Sequence, residues 1–347
     1  MTVTLRDVAA RAGVSAITVS RALNNTGYVS SQTRQRISAA ALDLNYVPNA
    51  LASSLRSQRT QLLALLVTDV TNPFWTTVAR GVEDGAMAAG YGIILCNTDE
   101  NRDKEARYLD LLLRRRIDGL VVVPTSESTE ILQNLKRRKV PFVLVDRLVD
   151  GVTADSVRGD SRGGAYQVTM HLLQTGYRRI GMITGPRTVS TAEERVVGYL
   201  DALGEMDAPA GPDLVRFGPY RESWGYQATG ELMARDPRPD ALVAANNFIA
   251  LGVLEALRER GLRVPEDAAL VCFDDFPGLG AAAPFFTTVV QPAAEIGRVA
   301  IQLLLDRLAN PELDLREVVL PAALIVRSSC GCGLGVRGQG SVLAGRP

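Results

Sequence analysis

The stretch TLRDVAARAGVSAITVSRALN, residues 4–24, decides how the first part of this chain folds. Thr4 and Ser15 each stand where a side-chain oxygen caps the first turn of a helix. Gly13 supplies the positive φ that a tight turn between two helices needs. The two predicted helices are Leu5–Ala12 and Ala16–Leu23. Small and aliphatic residues complete the pattern, which is typical of a helix-turn-helix unit: Val8, Ala9, Val14, Val19 and Leu23.

The residues that follow continue as short helices up to about position 60. Ser30 is placed to cap a third helix that Pro48 ends, and a short helix is predicted over about residues 49–57. Residues 1–60 contain seven arginines against two aspartates, a net charge of +5, so the rest of the chain carries −5. A small basic unit on an acidic body is the charge pattern of a nucleic-acid-binding module, although a solvated helical face would show the same charges.

From Gln61 onwards, apolar runs alternate with amphipathic stretches. Runs that are apolar throughout are the pattern of strands in a parallel sheet covered on both faces, and there is enough chain for two such sheets. The predicted strands are Leu62–Val67, Gly92–Cys96, Gly119–Val123, Phe142–Val145, Ile180–Ile183, Ala241–Ala244 and Ala269–Phe273. The predicted helices are Phe74–Ala89, Glu105–Arg116, Ser161–Gln174, Glu193–Leu203, Ser223–Ala234 and Ile249–Arg260.

The composition excludes several classes of protein. Apolar residues make up 46% and charged residues 22% of the 347 residues, which are ordinary values for a globular chain with a sizeable core. The longest aliphatic run, Leu62–Val67, is far shorter than a membrane span, and the first residues lack the apolar segment of a secretory signal. With four cysteines and no such signal, we expect a cytoplasmic protein that does not contact a membrane.

The sequence offers no set of catalytic or metal-binding residues. The single histidine, His171, falls in a predicted helix and is interpreted as a surface or packing residue. Cys330 and Cys332 stand near the flexible end and far from other ligands in the sequence, so we predict no zinc site there. Asp274 and Asp275 are adjacent at a strand end and point in different directions, which argues against a catalytic pair. We therefore predict no enzymatic activity, no cofactor and no metal.

A helix-turn-helix unit places its second helix in the major groove of DNA, whereas a plain helical hairpin would show the same few small residues. The longer stretch of sequence distinguishes a helix-turn-helix from a plain helical hairpin. Residues 4–24 closely resemble the N-terminus of the lactose-repressor/galactose-repressor family of bacterial transcription regulators, and residues 46–55, YVPNALASSL, resemble that family's hinge helix. The resemblance continues in order to about residue 330, in the segments Asn72–Trp75, Asp118–Leu120, Val145–Arg147, Gly176–Ile180, Arg263–Asp267, Phe273–Asp275, Thr287–Gln291 and Arg327–Ser328.

The resemblance implies which residues of the head contact DNA. Ala16, Ile17 and Arg21 take the base-reading positions. Arg21 offers a bidentate pair of donors to guanine, and the two apolar side chains suit thymine methyl groups. Because other members carry polar side chains at those two positions, the operator cannot be copied from a relative. The same resemblance assigns phosphate contacts to Thr4, Ser20, Asn24, Ser30 and Thr33. Ser30 is also expected to cap its helix.

In the family, the hinge helix enters the minor groove, where a leucine opens a central base step. Leu55 holds that position here, and an apolar wedge bends DNA at the cost of unstacking it. The alternative for this segment is an amphipathic linker helix that packs on the body. Ser53 stands where the family often has arginine, which puts one phosphate contact in question.

The resemblance implies a body similar to periplasmic sugar-binding proteins, with a ligand between two doubly wound subdomains. Ligands of open α/β sheets lie beyond the carboxyl ends of the strands, and polar groups with an aromatic face suit a sugar. The matched residues at such positions are Asp69, Phe74, Asp146, Arg195, Tyr220, Asn246 and Asp274. Each carboxylate taken singly fits a cap or an ion pair equally well. Asn247 replaces the family's usual aspartate, so either the ligand differs at that end or Asn247 supports the site without charge.

The expected architecture is an all-α helix-turn-helix head joined to an α/β body of two doubly wound parallel-sheet subdomains, similar to periplasmic binding proteins. We place the head at residues 1–60, with the hinge helix at about 49–57, the body at 61–330, and a flexible tail at 331–347. Within the body we expect an N-subdomain of about 61–160 and 291–320 and a C-subdomain of about 161–290 and 321–330.

These features predict a sequence-specific transcriptional regulator, with repression as its expected action. It would bind a pseudo-palindromic operator in double-stranded DNA as a homodimer, because one recognition helix spans too few base pairs for a tight site. A small-molecule effector, a sugar or sugar derivative, would control the affinity for the operator. The alternative is a cytoplasmic solute-binding or sensor protein without an operator, which fits the body and leaves the basic head unexplained.

Overall fold

The computed structural model describes residues 3–24, 26–47, 59–276 and 285–332. They belong to two compact units, Met1–Thr60 and Gln61–Pro347. The predicted hinge helix at about 49–57 with Leu55 and Ser53, and residues 333–347 of the predicted tail, lie outside the described residues. No helix in the described ranges is long and apolar enough to cross a membrane.

The first unit packs short helices around a small aliphatic core. Its helices are α1 (Leu5–Ala12), α2 (Ala16–Leu23) and α3 (Ser31–Asp43). Gly13 joins α1 to α2 with a φ of 67°, a left-handed conformation that glycine adopts without steric cost. Val8, Val19 and Ile37 meet in the core and are completely buried. The helix-turn-helix is therefore present with the predicted bounds.

Each of these helices begins at the predicted cap. The hydroxyl oxygens of Ser15 and Ser30 accept hydrogen bonds from the backbone N–H three residues later, at 3.2 and 3.3 Å. At α1, the Asp7 carboxylate accepts from the backbone N–H and the hydroxyl of Thr4, at 2.8 and 2.7 Å. Because a first helical turn leaves its N–H groups without helical partners, these bonds fix where each helix starts.

The second unit is built on two sheets. The strands of the first sheet are β1 (Leu62–Val67), β2 (Gly92–Asn97), β3 (Gly119–Val122), β4 (Phe142–Val145), β5 (Asp155–Gly159) and β11 (Glu317–Leu320). Those of the second are β6 (Ile180–Thr184), β7 (Val215–Phe217), β8 (Ala241–Ala244), β9 (Ala269–Phe273), β10 (Thr287–Val290) and β12 (Ala323–Ile325). The strand orders among the described residues are β11-β5-β4-β3-β1-β2 and β12-β10-β9-β8-β6-β7.

Every pair in the first sheet is parallel, and the second sheet adds one antiparallel pair, β10 with β12. Helices cover both sheets: α4 (Pro73–Ala88), α5 (Arg102–Arg114), α6 (Thr129–Arg137), α7 (Ser161–Gln174), α8 (Ser190–Glu205), α9 (Glu222–Met233), α10 (Asn247–Glu259) and α11 (Ala293–Ala309). The predicted doubly wound α/β body is thereby confirmed. Its parallel strands point their carboxyl ends at one edge of each sheet, which is where ligands of such folds bind.

The chain passes from one sheet to the other three times. It leaves the first sheet after β5, returns to it through α11 and β11, and enters the second again at β12. Helix α11 packs closely on α4, because a Cβ on Gly81 of α4 would lie 2.3 Å from the carbonyl oxygen of Ala294. Only a residue without a side chain lets α4 and α11 approach this closely. The two sheets are therefore joined by several connections.

Candidate functional site

Helix α2 presents a narrow exposed strip on the surface of the head. Ile17 is 66% exposed and Arg21 is also exposed, whereas Val19 and Ala22 on the inner side are buried. Residues four apart lie on one face of a helix, so Ile17 and Arg21 project together. Ala16 is half-buried against the core of the head. The strip thus offers one aliphatic and one cationic side chain, next to a helix start fixed by the Ser15 cap.

The polar side chains predicted to contact phosphate also hold helix ends. They are Thr4, Ser20, Asn24, Ser30 and Thr33, and all are exposed or half-buried. The Asn24 amide donates to the backbone carbonyl of Ser20 at 2.8 Å. The Ser30 hydroxyl caps α3 as predicted and donates to the Thr33 hydroxyl at 2.9 Å. Their predicted role in DNA binding therefore coexists with a local structural role.

In the body, the seven residues that the sequence placed beyond strand ends all line one cavity of about 1040 Å³. Asp69, Phe74 and Asp146 come from the side of the first sheet, and Arg195, Tyr220, Asn246 and Asp274 from the side of the second. Residues as far apart as 69 and 274 thus meet at one place. The cavity is lined from both sheets, so a ligand inside it would contact both halves of the body.

Arg195, on α8, is one of the cations that line the cavity and is only 4% exposed. One of its terminal nitrogens donates to the backbone carbonyl of Ala245, and its guanidinium lies 4.2 Å from the ring centre of Phe273. Its Nε has no hydrogen-bond partner in the structure. Burying an arginine is costly unless its donors are satisfied. Arg195 is therefore held in place by these two contacts, while its buried Nε makes no hydrogen bond with any described residue.

Asp274 faces the same cavity from the end of β9 and is 7% exposed. Its backbone has a φ of 63°, and its N–H donates to the carbonyl of Val289 at 2.9 Å, which turns the side chain away from the strand. The amide of Gln291 donates to Oδ1 at 2.8 Å. Burial raises the pKa of Asp274 to about 6, although Arg195 and the Gln291 hydrogen bond oppose that rise. Asp274 is mostly ionised at neutral pH and becomes protonated in mild acid.

Asp146 and its neighbour Arg147 line the wall formed by the first sheet. Burial raises the pKa of Asp146, while Arg147 and Arg195 act in the opposite direction. Both terminal nitrogens of Arg147 donate to Glu100, each at 2.7 Å, and its guanidinium lies 5.6 Å from the ring centre of Tyr220. A cation this close to an aromatic face is attracted to it. Arg147 therefore links the two walls of the cavity.

A pair of asparagines joins the two halves beside the cavity. Asn72 caps α4 by accepting from the N–H of Phe74 at 3.0 Å, and Asn247 is the first residue of α10. Each amide donates to the other's oxygen, at 3.0 and 3.1 Å, and Asn247 is completely buried. Of the two alternatives left open by the sequence, this geometry favours the one in which Asn247 supports the site without charge.

Sequence reasoning missed several residues of this site. Asn72, Arg147 and Gln291 lie in segments that carry the family resemblance, but no role had been assigned to them. Glu100 follows β2 in a turn and had no recognisable signal. Asp69 also holds its own loop, because its Oδ1 accepts hydrogen bonds from the N–H and the hydroxyl of Thr71, at 2.9 and 2.6 Å.

Comparison with known proteins agrees with both units. Residues 4–49 match the family model described as bacterial regulatory proteins, lacI family, and residues 169–330 match that of a periplasmic binding protein-like domain. The chain is 32% identical over 327 residues to the HTH-type transcriptional repressor PurR of Aliivibrio salmonicida, covering 94% of this chain and 98% of the relative. It is 34% identical over 332 residues to PurR of Proteus mirabilis, with 95% and 97% covered.

Solved structures show the same likeness over most of the chain. A complex of the transcriptional regulator CelR with cellobiose is 33% identical, with a TM-score of 0.72 and coverage of 94% of this chain and 99% of that one. The lac repressor dimer bound to operator and the anti-inducer ONPF is 27% identical, with a TM-score of 0.84 and coverage of 95% and 99%. These relatives are named as transcription regulators, the class of protein that the sequence predicts for this chain.

Proposed function

The chain belongs to the lacI family of bacterial regulatory proteins, and we propose that it represses transcription under the control of a sugar or sugar derivative bound in the cavity of its body. It would act as a homodimer on a pseudo-palindromic operator. One observation carries the proposal: a single chain combines an exposed strip of one aliphatic and one cationic side chain on α2 with a cavity lined by buried charged groups from two sheets. A solute-binding protein without an operator would have no use for that strip.

On the DNA side, we propose that Arg21 reads a guanine and that Ile17 and Ala16 contact thymine methyl groups. The exposure of Ile17 and Arg21 on one helical face supports this assignment. Ala16 is half-buried and offers a smaller contact. The arginines of the head would displace counterions from phosphates, so binding should weaken steeply as salt increases.

For the segment outside the described residues, the proposal that Leu55 wedges a base step open rests on the resemblance alone. Leu55→Ala should reduce DNA bending in a circular-permutation gel shift and leave effector affinity unchanged. Equal bending by the variant and the parent would favour a plain linker.

On the effector side, the chemistry of the cavity supports a neutral ligand rich in hydroxyl groups. Asp146 and Asp274 are buried carboxylates that accept hydrogen bonds, and each rests on a different sheet. A polyhydroxyl ligand supplies O–H donors to both, whereas a nucleobase supplies few N–H donors. Arg195 would donate to a ring or hydroxyl oxygen, and Phe74 and Tyr220 would cover the apolar faces of the ring.

Control of DNA binding by the ligand requires that the ligand distinguish two arrangements of the body. The cavity is suited to this because its walls come from both sheets and are linked by the Asn72–Asn247 pair and by Arg147 against Tyr220. A ligand that favours one spacing of these walls would shift the equilibrium between them. In a dimer, that shift would change how two heads meet two half-sites.

The proposal is tested in two steps. Selection from random DNA should yield a two-fold symmetric site, and a thermal-shift screen of sugars, sugar phosphates and nucleosides should yield a ligand. The ligand should then change the affinity of the full chain for the selected site in a binding titration. A nucleoside hit with no sugar hit would contradict the ligand class, and failure to select any preferred DNA would contradict the repressor assignment.

A further inference from the structure

Away from the cavity, the fold brings together the single histidine and two of the four cysteines. Nε2 of His171, on α7, lies 3.3 Å from Sγ of Cys330 and 3.5 Å from Sγ of Cys332. The three ligand atoms all lie within 4.8 Å of one another. The sequence interpretation of the two cysteines as isolated from other ligands was wrong, because the fold makes neighbours of His171 and Cys330, which are 159 residues apart in the chain. His171 is half-buried, which agrees with its interpretation as a packing residue.

The segment that carries the two cysteines is built into the second sheet. Ser329, which is completely buried, accepts from the N–H of Thr287 at 2.8 Å and donates to the carbonyl of Leu270. The Tyr177 hydroxyl donates to the carbonyl of Cys330 at 3.1 Å, and Gly331 turns the chain with a φ of 77°. These bonds fix the backbone on both sides of Cys330. The backbone that carries Cys330 is therefore held against the second sheet.

We propose that His171, Cys330 and Cys332 bind a thiophilic metal ion, with Zn²⁺ as the first candidate, through one imidazole nitrogen and two thiolate sulfurs. With Zn–S of about 2.3 Å and Zn–N of about 2.1 Å, a tetrahedral ion separates nitrogen from sulfur by about 3.6 Å. The observed separations of 3.3 and 3.5 Å are close to that value. Binding releases the two thiol protons to solvent.

The chemistry of the ligands selects the class of ion. Two sulfurs and an imidazole suit Zn²⁺ or Cu⁺ and are poor ligands for Mg²⁺ or Ca²⁺, which prefer oxygen. Three protein ligands leave a fourth position of a tetrahedral site for another group. Cys330 is buried, but His171 and Cys332 are half-buried, so an ion can reach them from solvent. The bound ion would tie α7 to the segment that follows β12.

The test uses the full chain, reduced, freed of metal and titrated with Zn²⁺ against a chromophoric chelator. We expect one Zn²⁺ per chain and a rise in Tm, because an ion that binds only the folded state stabilises it. Titration with Co²⁺ should give a thiolate-to-metal charge-transfer band. Cys332→Ser and His171→Gln should each weaken Zn²⁺ binding by at least about tenfold and lose the Tm rise, and Cys332→Ser should weaken the band.

Cys96→Ala is the matched control, since it removes one buried thiol from β2 and leaves the cluster intact. It should bind Zn²⁺ as the parent does. Cys332 is half-buried, so its serine variant should fold even if His171→Gln does not. Selective binding of Cu⁺ with the same dependence on Cys332 would support the site with another ion. Equal Zn²⁺ binding by the parent and Cys332→Ser, or no binding of either ion by the parent, would overturn the proposal.

Discussion

The residues of α2 that we propose to contact DNA include exposed side chains, whereas those of the cavity that we propose to contact an effector are mostly buried. Ile17 is 66% exposed, while Arg195 and Asp274 are 4% and 7% exposed. Exposed charges remain hydrated and act on DNA through a field that salt screens. Buried charges lose their hydration, so their protonation and pairing depend on close neighbours. DNA binding by the head should therefore depend on salt concentration. Ligand binding in the cavity should depend on pH and on substitutions of single residues.

The largest effect is expected from Asp274→Asn, which keeps the shape of the side chain and an oxygen to accept from Gln291 but removes the charge. If Asp274 accepts two hydrogen bonds from the effector, each worth about 1.5–3 kcal/mol, the ligand should bind at least about 100-fold more weakly. Calorimetry with the ligand found in the thermal-shift screen measures this loss of affinity. Asp84→Asn, on the exposed side of α4, is the matched control and should bind like the parent.

Asp274→Asn should leave operator binding intact, because the head is a separate unit. Effector affinity equal to that of the parent would remove Asp274 from the site.

The next effect concerns the head. Arg21→Ala should cost about 1–3 kcal/mol at the operator and relax the preference at one base pair in each half-site. Arg11→Ala removes the same charge from α1, where Arg11 is paired with Asp43 at 3.2 Å. We expect the control to lower affinity for all sequences alike and to keep the base preference. If selection experiments return the same DNA site for Arg21→Ala and the parent, Arg21 does not read a base pair as proposed.

A smaller effect is expected from pH, and it should separate the two regions. Because the pKa of Asp274 is raised to about 6, its ionised fraction falls as the pH drops below that value. If the effector binds the ionised form, its affinity should fall about tenfold between pH 7.5 and pH 5. Protonation of Asp146, whose pKa is also raised by burial, would act in the same direction.

Calorimetry at the two pH values measures the effect, and Asp274→Asn should flatten it. A parent whose effector affinity is the same at both values would contradict the role given to the ionised carboxylate.

The smallest effect is a coupling energy between two substitutions, which tests the link between the two halves of the body. Asn72→Ala and Asn247→Ala each leave a buried amide without its partner and should lower the free energy of unfolding by about 1–3 kcal/mol. The double variant should cost less than the two single changes together, by about 0.5 kcal/mol or more. Urea unfolding of the parent, the two single variants and the double variant measures this coupling energy as a double-mutant cycle. Strictly additive costs would mean that the reciprocal hydrogen bonds contribute nothing beyond the local caps.

The two regions also differ in how far the sequence could predict them. Residues 4–24 are contiguous, so spacing and caps were enough to locate α1, Gly13 and α2. Apolar strands such as β1 and β4 were equally clear, since a short run of aliphatic residues is typical of a strand in a parallel sheet covered on both faces. The seven cavity residues were located through the resemblance and not through periodicity, and whether they contact a ligand stays a prediction.

The features that sequence reasoning missed depend on distant partners. Strand β5 begins with Asp155 and Ser156, which do not look like a buried strand. The fold buries Asp155 by pairing it with Arg307 at 2.9 Å and with the backbone N–H of Arg316 at 2.9 Å. The same holds for Asn247 and for His171, because residues more than 150 positions away decide what they do.

We propose that the cavity and the operator-binding surface belong to one switch. Coupling between two sites is reciprocal, so the factor by which the effector changes operator affinity must equal the factor by which operator DNA changes effector affinity. Both can be measured on the full chain, by titrating operator with and without saturating effector and effector with and without saturating operator. We predict equal factors of at least about fivefold, abolished together by Asp274→Asn. An operator affinity that does not change when the effector saturates the cavity would show that the two sites are not coupled.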